Sequence, residues 1–124
     1  MEIRVKALKT CKVAADGGAI LLGFEDVGGN PAAVRVSLSQ VGALLMTLPG
    51  LLETALKARY GDQKLRYAYP LASWVVEQSA STTQRIVTLE TKDGFRVRFS
   101  ILEAQQSLLS EALIQPLEAR VLPN

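Results

Sequence analysis

VRVSLSQVGALLMTLPGLLETALKAR, residues 34–59, and FRVRFSILEAQQSLLSEALIQPLEAR, residues 95–120, can be laid on each other without a gap at an offset of 61 positions. Nine pairs are identical: Arg35/Arg96, Val36/Val97, Ser39/Ser100, Ala43/Ala104, Leu48/Leu109, Leu52/Leu113, Leu56/Leu117, Ala58/Ala119 and Arg59/Arg120. Both segments open on period-two alternation and switch to the three-to-four spacing of a helix. Any two strand-helix segments share some of this patterning. The length of the gapless match is what points to an internal repeat.

Working outward, the offset upstream becomes 65, because the first hairpin carries the extra Asn30-Pro31-Ala32-Ala33; Ala15/Ala80, Glu25/Glu90 and Gly29/Gly94 are then identical. In the first half, Ile3, Val5 and Ala7 alternate with Glu2, Arg4 and Lys6, a strand continuing through Val13. Ala15-Asp16-Gly17-Gly18 turns the chain, Ala19–Asp26 forms a second strand, Val27 to Pro31 breaks it, and Val34–Leu38 alternates again. A helix follows over 39–59, with Ser39 as N-cap, Val41, Leu45, Leu48, Leu52 and Leu56 as its stripe, and Pro49 kinking or splitting it. The second half repeats the plan. Strands over 64–79 and 84–91, a Lys92-Asp93-Gly94 turn and a strand over 95–99 lead to a helix with a Ser100/Glu103 capping box. Leu102, Leu109, Leu113 and Leu117 form its stripe and Pro116 ends it. The expectation is one α+β domain over 1–124, with two pseudo-symmetric βββ(β)α repeats, 1–60 and 61–124. Each repeat has an antiparallel sheet closed by one helix, and the leucine stripes lie in the core.

Composition bounds the chemistry. The 124 residues carry 14 basic and 12 acidic side chains, one cysteine and no histidine. Ser-His-Asp and Cys-His catalysis and histidine-ligated metals are excluded, and Cys11 alone makes no disulfide or Cys-x-x-Cys site. The Gly-Gly pairs at 17/18 and 28/29 open no helix and read as turns, not phosphate cradles. Glu25, Asp26, Glu90 and Asp93 sit at strand ends without a catalytic partner. No catalytic residue, metal ligand or cofactor is expected, and the chain reads as non-enzymatic. Met1 leads into charged alternation, not a signal peptide, and the apolar stretch 41–56 is shorter than the roughly 20 residues that span a bilayer. The expectation is a cytoplasmic protein off the membrane. Its apolar share of 48%, concentrated in Leu44, Leu45, Met46, Leu48, Leu51 and Leu52, suggests a homodimer.

The basic residues carry the functional reading. If Val34, Val36, Val97 and Phe99 point inward, Arg35, Arg96 and Arg98 point to the opposite face. Arg4, Lys6, Lys12, Lys64, Arg66 and Arg85 lie on neighbouring strands, and Tyr67, Tyr69 and Trp74 fall in one long strand. Cations interleaved with flat rings suit single-stranded nucleic acid, the cations meeting phosphates and rings such as Trp74 stacking on bases. The competing reading is a solvated strand face with the rings in the core.

The segment VSLSQVGALLMTLPGLLETALK, with Val36-Ser37-Leu38, Ala43, Leu44, Leu48, Pro49, Glu53 and Ala55-Leu56-Lys57, resembles the helix and preceding strand of the positive cofactor four group of single-stranded-DNA-binding transcriptional coactivators, to which the Whirly and Pur proteins are similar. The resemblance implies strand-rich motifs closed by a helix, paired so that their sheets hold a single strand of DNA. Taken together, the expected function is single-stranded DNA or RNA binding, with transcriptional regulation as its setting. A protein-interaction or small-ligand module on the same fold is the alternative.

Overall fold

The computed structural model describes residues 1–78, 80 and 83–116. Eight elements follow in order: β1 (Val5–Val13), β2 (Ala19–Asp26), β3 (Pro31–Ser37), α1 (Leu38–Tyr60), β4 (Ser73–Gln78), β5 (Gln84–Glu90), β6 (Arg96–Leu102) and α2 (Glu103–Ile114). The class is α+β. The chain divides after Gln63 into two compact units, each an antiparallel three-stranded sheet followed by a helix, with strand orders β1-β2-β3 and β4-β5-β6.

Turn chemistry fixes the hairpins. Asp16 Oδ1 accepts the Gly18 N–H at 2.8 Å, and Asp26 Oδ1 accepts the N–H groups of Gly28 and Asn30 at 2.9 and 2.8 Å. Gly29 and Gly94 take φ of 84° and 91°, the left-handed region in which a Cβ is strained, so glycine closes both β2–β3 and β5–β6.

Register corrects the sequence alignment. In the first sheet Ala19 pairs Ser37 and Ile20 pairs Val36; in the second Gln84 pairs Leu102 and Arg85 pairs Ile101. Corresponding pairs stand 65 apart, as do Val13/Ile20 and Gln78/Arg85. The helices, starting at Leu38 and Glu103, keep that offset. The offset of 61 is therefore one helical turn out of step. Pro31, Ala32 and Ala33 are no insertion but the first residues of β3. Arg35 corresponds to Ser100, not to Arg96.

Element boundaries shift accordingly. The long strand expected over 64–79 is only β4, with Tyr67 and Tyr69 in irregular chain before it. β6 runs through Ser100 to Leu102. The Ser100 hydroxyl lies 3.2 Å from Gln84 Oε1 instead of capping a helix, and α2 starts after Leu102, whose N–H donates to Gln105 Oε1 at 2.9 Å. Ser37, not Ser39, holds the N-cap position of α1, without a side-chain capping hydrogen bond, and α1 runs unbroken through Pro49. α2 ends at Ile114, and Gln115 before Pro116 is extended, as the pre-proline clash requires.

Among the described residues the leucine stripes do not lie in a core. Neither helix has a buried residue; Leu52 is 39% exposed and Leu113 75%. Ala19 and Thr88 alone are buried among the described residues. β3 passes into α1, and β6 into α2, with no linker residue between them, so neither helix has a loop with which to fold back over its own sheet. All ten positions of 43–52 are exposed. Leu117, Ala119 and Arg120 lie outside the described residues.

Candidate nucleic-acid interface

Residues opposite each other in a ladder share a face, and successive residues alternate. In the first sheet, Val13/Ile20/Val36, Cys11/Leu22/Val34 and Leu8/Phe24/Ala32 therefore form one apolar face, which ends at Val5 and Asp26. The other face carries Lys12/Leu21/Arg35, then Thr10/Gly23/Ala33, then Glu25 beside Pro31. β1 departs from regular pairing between Val5 and Ala7 and again between Leu8 and Thr10. The extra residues Lys6 and Lys9 turn to this same polar face, where their ammonium groups lie 3.9 and 3.2 Å from the Glu25 carboxylate.

Four cations and one carboxylate thus share the polar face. Lys12 and Arg35 flank Leu21 from the two outer strands, about 10 Å apart across the ladder. Gly23 makes room in this face for the Thr10 side chain. A Cβ there would meet the Thr10 hydroxyl at 2.3 Å, and a depression of about 450 Å³ lies over it, lined by Lys9, Thr10, Glu25 and Ala33. A shallow depression beside cations suits a flat group carrying a phosphate.

The second sheet divides differently. Trp74/Leu89/Val97, Val76/Val87/Phe99 and Gln78/Arg85/Ile101 share one face; Ser73/Glu90/Arg96, Val75/Thr88/Arg98 and Glu77/Ile86/Ser100 share the other. Arg85 and Trp74 therefore stand on the face opposite to Arg96 and Arg98, and Arg66 lies in irregular chain. Arg85 donates to Gln106 Oε1 on α2, and Arg96 Nε lies 3.4 Å from Glu90. Trp74, 66% exposed, sits among aliphatic neighbours. A base stacked on it would not share a surface with Arg96 and Arg98. Tyr67, Tyr69 and Phe95 form a ring cluster instead, with centroids 4.9 and 5.0 Å apart.

The structure thus joins Lys12 to Arg35 and separates the unit-two residues. It adds Lys9 and brings Lys6 to the same face; plain strand alternation would put the two on opposite faces, and only the two irregularities of β1, which no sequence pattern marks, bring them together. Among the described residues no group of three acids or cysteines could hold a metal ion. α1 is long and apolar enough to cross a membrane, with a mean hydropathy of 1.3 over its best 18 residues. No family model matches the chain, and neither a curated protein nor a solved structure matches it.

Proposed function

We propose that the polar face of the β1–β3 sheet binds single-stranded nucleic acid without catalysis, and that the two units are copies of one βββα module of which only the first keeps this site. The observation that carries the reading is the convergence of Lys6, Lys9, Lys12 and Arg35 on one sheet face with Glu25 as its single acid. Lys12 and Arg35 have no ion-pair partner among the described residues, so phosphate neutralisation displaces no protein contact. The depression beside Lys9, Thr10 and Ala33 leaves room for a base on the same face. The resemblance of 36–57 to the positive cofactor four group agrees with a single-stranded ligand and with a role in transcription. The protein-interaction reading is favoured by one specific observation, the exposed apolar surface around Trp74.

Titrating a fluorescent oligonucleotide of about 20 nucleotides at roughly 50 mM salt tests the proposal. Micromolar binding is expected, single strands ahead of duplex. Each phosphate contact contributes about 0.7 to the salt slope, so the double variant Lys12→Ala/Arg35→Ala should flatten it by roughly 1.4. Arg96→Ala/Arg98→Ala should leave it nearly unchanged. No binding, or an equal loss from both double variants, would remove this face as the site.

A further inference from the structure

A carboxylate on a face that binds phosphates is out of place unless the ligand brings it a proton donor. Glu25 is such a group. It is the single acid among Lys6, Lys9, Lys12 and Arg35, and it lines the same depression as Lys9, Thr10 and Ala33. Its Oε2 lies 3.2 Å from the Lys9 ammonium, close enough for a hydrogen bond, and its Oε1 lies 3.9 Å from that of Lys6, which is too far for one. An ionised carboxylate offers about four lone-pair sites and donates nothing. The two lysines occupy at most half of them. The rest of its accepting capacity is open to a ligand, which can reach the side chain because 29% of it is exposed.

Phosphodiesters and deoxyribose carry no proton donor within a strand, and the donors on base edges differ from base to base. The ribose 2′-hydroxyl is a donor that every RNA nucleotide carries. We infer that the Glu25 carboxylate accepts a ribose 2′-hydroxyl while the Lys9 ammonium beside it takes the adjoining 3′-phosphate, so that the polar face of the β1–β3 sheet selects single-stranded RNA over single-stranded DNA. The inference rests on the reading of this face as a nucleic-acid site and chooses between the two ligands that reading allows. The two pairs match in their layout. Hydroxyl and 3′-phosphate sit on neighbouring carbons of one ribose, as ammonium and carboxylate stand side by side on the sheet. Acidic side chains hold ribose hydroxyls in the same manner in dinucleotide-binding folds. Toward DNA the carboxylate accepts nothing from the sugar, while its charge repels the backbone and offsets that of Lys6 and Lys9. A base can enter the depression, but reading its edge requires a ring that stacks on it and fixes its orientation. Phe24, the one aromatic residue at the depression, alternates to the apolar face.

Oligouridine and oligodeoxyuridine of about 20 nucleotides, which differ only in the 2′-hydroxyl, test it on the full chain at roughly 50 mM salt. The RNA should bind about tenfold more tightly, the contribution of one hydrogen bond to a charged group. Oligouridine methylated at every 2′-oxygen keeps the acceptor but loses the donor, and should bind no better than the DNA. Glu25→Ala should bring the RNA and DNA affinities together and, by releasing Lys6 and Lys9, steepen the salt slope of DNA binding by up to about 1.4. DNA that binds the wild type as tightly as RNA, a methylated strand that matches RNA, or a preference for RNA that survives Glu25→Ala would each overturn the inference while leaving the face a nucleic-acid site. A wild-type chain that binds neither polymer would overturn it together with the reading it rests on. If Glu25→Ala does not fold, the methylated strand decides.

Discussion

At Gly23 a single missing side chain shapes the polar face. Thr10, directly across the ladder, puts its hydroxyl where a Cβ would stand, so Gly23→Ala forces the threonine to rotate or the strands to separate. Overpacking of this kind costs about 1–3 kcal/mol. Urea unfolding should register that loss for Gly23→Ala and recover most of it in Thr10→Ala/Gly23→Ala; a loss that persists in the double variant would mean backbone strain rather than the hydroxyl. Gly94→Ala should cost about 1–2 kcal/mol for a different reason, its φ of 91°. The turn glycines were legible in the sequence, because Asp-Gly beside alternating residues marks a hairpin. Gly23 was not, since nothing in one strand's sequence names the residue that will stand opposite.

At the scale of elements, the strands were read more accurately than the junctions. β2 falls where its apolar run lies, and β1 ends at Val13 as its alternation indicates. In the second half the helix start slipped by two residues, from a cap at Ser100 to one at Leu102, and the alignment of the two halves by one turn. Leucines at 44, 48, 52 and 56, and at 109, 113 and 117, recur every four residues, so sliding one helix on the other by four positions matches leucines again. Phe99-Ser100-Ile101-Leu102 fits a strand end as well as a capped helix start, and only the pairing with β5 decides between them. The candidate site was half legible for a related reason. Alternation correctly turned Arg35 away from Val34 and Val36, yet a list of cations does not say which sheet face Arg85 and Trp74 share. Pro49 is the element's remaining anomaly, an interior proline in an unbroken helix. Proline there costs about 3 kcal/mol relative to alanine, so Pro49→Ala should raise unfolding stability by roughly 1–3 kcal/mol. A fall instead would mean that the folded protein needs the bend proline imposes.

For the whole molecule, the division of labour between faces is the main point. One side of the first sheet carries Lys6, Lys9, Lys12 and Arg35; the other is apolar except for Asp26 at the end of β2. The leucine stripes were expected in a core, an expectation that follows from periodicity, because periodicity tells which residues seek cover and not what provides it.

Cys11 offers the most direct test, since it is the chain's single cysteine and stands on the apolar face between Leu22 and its neighbours. The measurement is its rate of alkylation by a water-soluble maleimide with and without a saturating single-stranded oligonucleotide. The account predicts the same rate in both, because the ligand lies on the opposite face. Labelling that slows on adding oligonucleotide would contradict it.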